Sequence, residues 1–267
     1  MKTHPAIRGL CAVAAVFALF ASQASAAFIT IGAERETAIF AENPDYNLGS
    51  GNLIAGTNAF GGDNARSLLG FNIAASIPSG SIINSVTFQI GVIRQSNRNS
   101  ASAYELHRML TDWTEGNGGI NVNTGSPALA GETTWNSRHH GSTPWSTPGG
   151  QAGVDYLSLV SGTGPEIDSG NTVYEILSSA ALVADVQSWL NSPGTDNGWM
   201  FLATEEGTPG TARRFSSSEV PGAGISSALT PRILVDFTAV PEPATACTGL
   251  ALGLVAFGRT LRRRRIR

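Results

Sequence analysis

Two carboxylates and two histidines lie in one long polar segment and are the first candidates for chemistry. Asp112 and Glu115 flank Trp113 closely, and a carboxylate pair can hydrolyse or eliminate at a sugar by general acid–base catalysis. His139 and His140 could bind a metal ion or exchange a proton near neutral pH. The sequence contains no HExxH, GxSxG, Walker A or dinucleotide-binding glycine motif.

A simpler interpretation accounts for the same residues. Carboxylates beside a turn accept hydrogen bonds from backbone N–H groups, which would orient Trp113. A His-His dipeptide in a polar loop is typically solvated, and no cysteine or acid lies at a familiar ligand spacing beside it. The sequence therefore predicts a protein that is not an enzyme and has no catalytic residues.

Other acidic residues could supply oxygen ligands to a structural calcium ion. Calcium takes six to eight oxygens, and an acidic exported domain with many loops can provide them. The chain has no contiguous calcium loop of the EF-hand type, so the metal ligands stay unassigned. The candidates are Glu34, Glu36, Asp45, Asp63, Asp185 and Glu219.

Tryptophans are the candidates for binding a glycan, because an aromatic ring beside polar groups can hold a sugar. Trp113, Trp135 and Trp145 lie in the irregular segment 111–155. Trp145 stands in a run of Ser, Thr, Pro and Gly and is expected to be the most exposed. The alternative for each ring is core packing, which is the prediction for Trp189 and Trp199.

The elements that must position these residues are mostly strands. Val86, Phe88, Ile90 and Val92 alternate with small or polar residues, which is typical of a half-buried strand. Leu182, Val186, Trp189 and Leu190 instead follow helical spacing. Repeated short strands between turn signals predict an all-β sandwich or barrel with one short helix. No linker divides residues 27–240, so we expect one domain. The other predicted strands are 28–31, 53–55, 67–73, 104–109, 172–177, 199–203 and 232–237.

We expect the two ends of the chain to be targeting signals that are not part of the folded domain. Lys2 and Arg8, the apolar run 10–21 and the small residues 24–26 are the three parts of a secretory signal peptide, which predicts cleavage by signal peptidase before Ala27. At the other end, Pro241-Glu242-Pro243 precede an apolar segment, 244–258, and an arginine cluster. Fifteen residues of helix span about 22 Å, which is short for a membrane helix. This pattern predicts a marginal C-terminal transmembrane segment.

The two ends and residues 27–240 also differ in charge, because the ends are basic and the middle is acidic. Residues 27–240 hold nine arginines, no lysine and 19 acids, a net charge of −10. This excludes the basic surface that nucleic-acid binding needs. Arg213 and Arg214 could form one local positive spot on an exposed strand face. Both cysteines lie outside this range, so the domain is predicted to fold without disulfides.

Residues 241–267 resemble the PEP-CTERM sorting tail of Gram-negative bacterial surface proteins. The resemblance rests on Pro241, Glu242 and Pro243, the apolar helix, and Arg262, Arg263, Arg264 and Arg265. It implies transient membrane anchoring, recognition by an exosortase, removal of the tail, and release to the cell surface or extracellular matrix.

Residues 27–240 are similar to the DNRLRE domain family, which is related to alginate-binding carbohydrate modules. The string DNRLRE itself is absent, and Asp63-Asn64-Ala65-Arg66 is the nearest approach to it. The resemblance implies a jelly-roll-like β-sandwich with a short helix near 179–191. The matching segments, in the family's order, are 47–49, 66–71, 77–80, 112–115, 134–135, 185–190, 198–199, 215–219 and 231–235.

Together these features predict a non-catalytic exported surface or matrix protein that binds an extracellular polysaccharide. Two alternatives remain open at the level of the sequence. One is a small polysaccharide-active lyase or hydrolase that uses the loop carboxylates. The other is a purely structural matrix component.

Overall fold

The structure is a computed structural model that describes residues 25–95, 100–119, 125–167, 172–219 and 230–240. The predicted signal peptide up to residue 24 and the predicted tail 241–267 lie outside the described residues. The compact unit runs from Ser25 to Val240. Among the described residues, no helix is long and apolar enough to cross a membrane.

Strands make up most of the secondary structure, so the fold is all-β, as the alternating pattern predicted. The strands are β1 Ser25–Gly32, β2 Arg35–Phe40, β3 Tyr46–Asn47, β4 Leu53–Thr57, β5 Asn64–Gly70, β6 Ile82–Gln95, β7 Tyr104–Met109, β8 Ser126–Pro127, β9 Ser137–His139, β10 Thr143–Pro144, β11 Tyr156–Thr163, β12 Thr172–Ile176, β13 Trp199–Ala203, β14 Arg213–Phe215 and β15 Arg232–Ala239. The helices are α1 Ile73–Ser76 and α2 Ala180–Asn191, followed by a 3₁₀ turn, Pro193–Thr195.

Eleven strands form one antiparallel sheet in the order β1-β15-β6-β14-β4-β5-β13-β7-β11, with β12 paired to β6 and β2 paired to β5. The sheet curls at β4, which changes partners along its length. Residues 53–55 pair with β14, whereas Gly56 and Thr57 pair with β5. Gly56 has a φ of +107°, and a Cβ there would lie 2.6 Å from the carbonyl oxygen of Thr211. The corner therefore requires glycine.

The core lies between the part of the curled sheet that contains β6 and the part that contains β13. Val86, Phe88, Ile90 and Val92 of β6 are fully buried, which confirms the alternation. Phe88 meets Phe201 of β13 across the core, with ring centroids 5.8 Å apart.

Arg213 also lies in this core, which corrects the prediction of an exposed positive spot. The side chain is 1% exposed. Its guanidinium compensates for burial by donating to carbonyl oxygens, because a buried charge needs such partners. These are the carbonyls of Ser100, Ile167, Gly210 and Ala212.

The helix predicted from the 182–190 spacing is present as α2. Ser179 caps it, with its hydroxyl accepting from the N–H of Leu182 at 3.0 Å. Trp189, on the buried face, packs edge-on against Trp199 of β13, with ring centroids 4.5 Å apart. Both rings are fully buried, which confirms their prediction as core residues.

The first and last strands of the unit pair with each other. β1 and β15 run antiparallel, and the register places Ser25 opposite Ala239 and Ala27 opposite Phe237. Among the described strands, β1 has a partner on one side only and lies at an edge of the sheet. The two ends of the described unit are therefore neighbours.

Candidate functional site

One buried amide, Asn47 of β3, joins several parts of the irregular segment 111–155. Its Nδ2 donates to the carbonyl oxygens of Glu115 at 2.7 Å and Thr133 at 2.9 Å. Its Oδ1 accepts from the N–H groups of Gly49 and Gly118, both at 2.9 Å. At Gly118 a Cβ would lie 2.2 Å from the carbonyl oxygen of Asn47, so the loop approaches too closely for any side chain.

Trp113 is a structural ring rather than an exposed one. It is 2% exposed, and its indole N–H donates to the carbonyl oxygen of Asn197 at 2.7 Å. The Arg35 guanidinium lies 4.5 Å from the ring centroid and donates to the Trp113 carbonyl at 2.8 Å. In this structure the ring has no face available to a sugar.

Trp145 was expected to be the most exposed candidate, and this expectation was wrong, because the ring is 4% exposed. Its indole N–H donates to the carbonyl oxygen of Thr134 at 2.8 Å. The Pro- and Gly-containing run around it folds back on Asp155, whose Oδ2 accepts from the N–H groups of Ser146 and Gln151. These bonds within the segment bury a ring that its immediate neighbours in the sequence placed on the surface.

Trp135 is the one ring of the three candidates that is partly exposed. The Arg66 guanidinium lies 5.4 Å from its centroid. That guanidinium is itself fixed by two hydrogen bonds to the Glu206 carboxylate and one to the carbonyl oxygen of Gly149. The ring is therefore held in place, with part of its surface accessible.

The most exposed aromatic ring, Phe60, was not among the predicted residues. It is 85% exposed at the tip of the loop that joins β4 to β5. The Oδ1 of Asn58 shapes this loop by accepting from the N–H groups of Phe60, Gly61 and Gly62 at 2.6–3.1 Å. The local signal was available in the sequence, where an aromatic residue and a Gly-Gly pair stand between Asn58 and Asp63.

A small open pocket of about 130 Å³ begins at the base of the same loop. Asn58 and Asp63, which bracket Phe60 in the chain, both line it. Glu42, Asn43 and Asn64 add further polar groups, while Phe40, Ile54, Gly56, Ala65 and Ala212 form the rest of the wall. The loop that carries the exposed ring thus also supplies one amide and one carboxylate, Asn58 and Asp63, to the pocket.

The suggested catalytic pair, Asp112 and Glu115, does not share partners. Asp112 forms an ion pair with Arg138, and its Oδ2 lies 3.2 Å from the Nε2 of His139. Glu115 turns instead toward β2, where its Oε1 accepts from the N–H of Glu36 at 2.9 Å. The two carboxylates hold different parts of the loop.

The histidines of the segment have ordinary polar surroundings. The Nδ1 of His139 lies 3.2 Å from the Thr114 hydroxyl. His140 lies 3.9 Å from an oxygen of Asp45. Across the described part of the chain, no group of three or more His, Cys, Asp or Glu side chains is arranged to hold a metal ion.

Four of the six predicted calcium ligands are dispersed. Glu34 bonds Asn72, Asp45 bonds Asn136, Asp63 bonds Asn58, and Asp185 bonds Ser161 and Trp199. The other two, Glu36 and Glu219, approach Glu115 closely enough for their charges to interact.

Glu36 is a deeply buried carboxylate with a shifted pKa. Its side chain is 1% exposed, and its Oε1 accepts from both the hydroxyl and the N–H of Ser218. Burial raises the pKa of Glu36 to about 7. The hydrogen bonds from Ser218 oppose this rise in pKa, and the charges of Glu115 and Glu219 add to it.

Comparison with protein-family models found no match for this chain. Comparison with curated proteins found no significant similarity either.

Proposed function

We propose that this chain is a non-catalytic exported protein of the cell surface or extracellular matrix that binds polysaccharide. The Phe60 loop carries the proposal, because its tip presents an 85% exposed aromatic ring and its base, at Asn58 and Asp63, lines a pocket that also holds other carboxylate and amide groups. Sugars present C–H faces that stack on aromatic rings and hydroxyl groups that bond to such polar side chains.

The chemistry of the pocket favours a neutral glycan. Glu42 and Asp63 lie in its wall, and the described unit belongs to a domain with a strong excess of acids. Anionic polymers would be repelled across such a surface. Hydroxyl groups of neutral sugars can instead donate to the carboxylates.

The domain is proposed to be a jelly-roll-like β-sandwich of the DNRLRE type. The curled antiparallel sheet supports this, as does the core that lies between its two halves. The position of α2, within two residues of the expected range 179–191, agrees with the same resemblance.

Export and sorting are proposed to proceed through the two ends of the chain. Signal peptidase would cut before Ala27, and β1 would keep its pairing with β15 from Ala27 onward. The cut would remove only Ser25 and Ala26 from β1, and both residues are exposed. An exosortase would then recognise Pro241, Glu242 and Pro243 and release the domain.

Phe60→Ala tests the glycan proposal directly. Retardation of the whole chain in gels that contain neutral polysaccharides such as glucans and mannans is expected to fall at least about tenfold, because the stacking surface is lost. The melting temperature should not change, since the ring is exposed. Leu129→Ala, which removes another exposed apolar side chain, is the matched control and should bind as the parent does.

Two results would argue against this assignment. The first is the absence of retardation by any neutral polysaccharide. The second is unchanged retardation in Phe60→Ala. Trp135→Ala then decides whether the partly exposed ring near Arg66 is the platform instead.

Replacement of the arginines 262–265 by alanine tests the sorting proposal. In a Gram-negative host that contains an exosortase, the parent chain is expected to lose both ends, which intact mass spectrometry of the released protein would detect. The variant should remain in the membrane fraction with its tail. Release of the variant at the parental rate would contradict the proposal.

A further inference from the structure

One edge of β1 is open among the described strands. β1 pairs only with β15, which occupies its other edge. The N–H of Ala33, just after β1, donates to the carbonyl oxygen of Pro231 in the same register. Because hydrogen-bonded positions alternate in an antiparallel pair, the odd-numbered residues of β1 bond to β15. Phe28, Thr30 and Gly32 therefore direct their backbone N–H and C=O groups toward the open edge.

This edge lacks the features that usually prevent strands of different molecules from pairing. β1 contains no proline and no charged residue, and its register with β15 is unbroken over eight residues. Edge strands are commonly protected by charges, prolines, bulges or short length. β11, at the other end of the strand order, has such protection, because its register with β7 shifts twice. Of these two edges, β1 is the one suited to extend the sheet.

The side chains along this edge fit a second copy of the same strand. Phe28 is 66% exposed. At Gly32 a Cβ would meet nothing within 4 Å, and its φ lies outside the left-handed region, so the strand itself does not require glycine there. With Thr30 opposite Thr30 of the second copy, antiparallel pairing places each Phe28 opposite the other Gly32. An aromatic ring can cover the space beside a glycine across two strands, and paired threonines are favourable neighbours.

Charge also favours this edge as the place where two copies meet. Residues 27–240 carry a net charge of −10, so two copies tend to repel each other, but β1 adds nothing to that repulsion. In the register centred on Thr30, Ala27 lies opposite Ala33 of the second copy, beside the exposed Glu34. After the proposed cleavage before Ala27, the new α-ammonium group and that carboxylate would attract each other. Only this last contact depends on the proposed export.

We propose that β1 is a homodimer interface, in which the open edges of two copies pair antiparallel about a two-fold axis at Thr30. The pairing joins two eleven-stranded sheets into one continuous sheet. A two-fold interface uses the same residues of both copies, and Phe28 and Gly32 provide this by lying at equal distances from Thr30. None of these three residues lines the pocket near Phe60, so dimerisation does not depend on polysaccharide binding.

Sedimentation equilibrium of the purified whole chain tests the proposal. We expect a dimer with a dissociation constant of about 10⁻⁶–10⁻⁴ M, because pairing of one strand edge buries less surface than a standard interface. Thr30→Glu sets like charges opposite each other at the axis and should weaken association at least about tenfold, as should Thr30→Lys. An equimolar mixture of the two variants should regain dimers, because the opposed charges then attract.

The Thr30 variants have a matched control on the other edge of the sheet. Thr30 is exposed, so both variants should fold as the parent does, with the same circular dichroism spectrum. Ser158→Glu also places a carboxylate at an exposed hydroxyl residue, in β11, and should dimerise as the parent does.

Disulfide formation tests the register. In a chain that carries Cys11→Ser and Cys247→Ser, Thr30→Cys should form an intermolecular disulfide on air oxidation, because paired Cα atoms lie about 5.5 Å apart. Phe28→Cys alone should not, since its two copies are offset by four residues, or about 14 Å along the strand. A mixture of Phe28→Cys and Gly32→Cys should cross-link, which electrophoresis without reductant would detect.

Several outcomes would overturn the proposal. One is a chain that stays monomeric up to about 0.5 mM, above the whole expected range of dissociation constants, which would leave the edge to a strand of another protein. Another is a dimer that neither Thr30→Glu nor Thr30→Lys weakens, which would place the contact elsewhere. Cross-linking of Phe28→Cys without cross-linking of Thr30→Cys would reject the register centred on Thr30.

Discussion

At the scale of single residues, Asn47 forms a cluster of hydrogen bonds that order the loop. It is fully buried and bonds two carbonyl oxygens and two N–H groups from three segments. Its replacement would leave those groups buried without partners, and each such group costs about 1–3 kcal/mol. The Asn47 amide therefore fixes the backbone at Glu115 and Gly118 from outside the loop.

Asn47→Ala is expected to lower the free energy of unfolding by about 3–4 kcal/mol, measured in urea. Asn191→Ala, at an exposed amide, should change it by less than about 0.5 kcal/mol. A loss below about 1 kcal/mol in Asn47→Ala would mean that water replaces the amide and that the hydrogen bonds do not hold the loop.

Asp196 gives the fold a pH dependence. Burial raises the pKa of its carboxyl to about 6. The N–H groups of Ile73 and Gly198 and the charge of Arg35 oppose this shift, and the charge of Glu34 adds to it. The folded protein therefore takes up this proton at a higher pH than the unfolded chain does. Stability attributable to Asp196 rises as pH falls from above 6 toward 4.

Asp196→Asn should reduce this pH dependence. Between pH 7 and pH 5, the free energy of unfolding of the variant should change with pH by a different slope from that of the parent. The difference in slope should correspond to the uptake of up to about one proton. Urea unfolding at several pH values measures it. The exposed control Glu205→Gln should keep the parental slope, and a parental slope in Asp196→Asn would show that burial does not perturb the Asp196 carboxyl.

The tryptophans show which residue environments the sequence could predict. Trp189 lies on a helical apolar face, so its burial followed from periodicity alone. Trp145 lies in a run of turn-forming residues, and it is buried because Thr134, 11 residues before it, and Asp155, nine residues after Ser146, anchor that run. Local composition carries no information about such anchors. Phe60 was overlooked because it lies outside the segment that holds most of the candidate tryptophans.

At the scale of elements, the clearest periodic patterns were predicted best. β6 alternates cleanly and α2 repeats every three to four residues, so both were identified. β2 was missed because its residues 36–40 are all buried, which gives no alternation. β14 was missed because it has only three residues, two of them arginines. Ile73, predicted to end a strand, instead begins α1 after the Asn72 cap.

The corner in β4 gives a test at this scale. Gly56→Ala forces a side chain into a positive φ and against the Thr211 carbonyl, so the free energy of unfolding should fall by about 3–4 kcal/mol. Gly80→Ala imposes a similar φ of +78° in open space and should cost only about 1 kcal/mol. Equal losses would show that contact with Thr211 does not constrain the corner.

At the scale of the whole molecule, the unit from Ser25 to Val240 has its own core, and its first and last strands pair with each other. Residues 27–240 carry a net charge of −10, which the basic residues at the two ends largely offset in the chain as a whole. The sequence could predict an all-β domain, because alternation and turn residues are local. It could not predict that Glu115 and Ser218 both bond to Glu36, because these residues are far apart in the chain and only the folded structure brings them together.

Residues 27–240, produced without the two ends, are expected to fold by themselves. They should unfold in one cooperative transition followed by circular dichroism, because the contacts of the core are internal to this unit. A broad transition without cooperativity would show that the ends of the chain contribute to folding.

The pairing of β1 with β15 also bears on protein engineering. Ser25 and Ala239 lie opposite each other in the antiparallel pair. Residues in such positions have Cα atoms about 5 Å apart. A short linker could join such ends at little entropic cost, which would permit circular permutants with new termini in an exposed loop. The same closeness would allow the domain to be inserted into a surface turn of a host protein without separating the two sides of that turn.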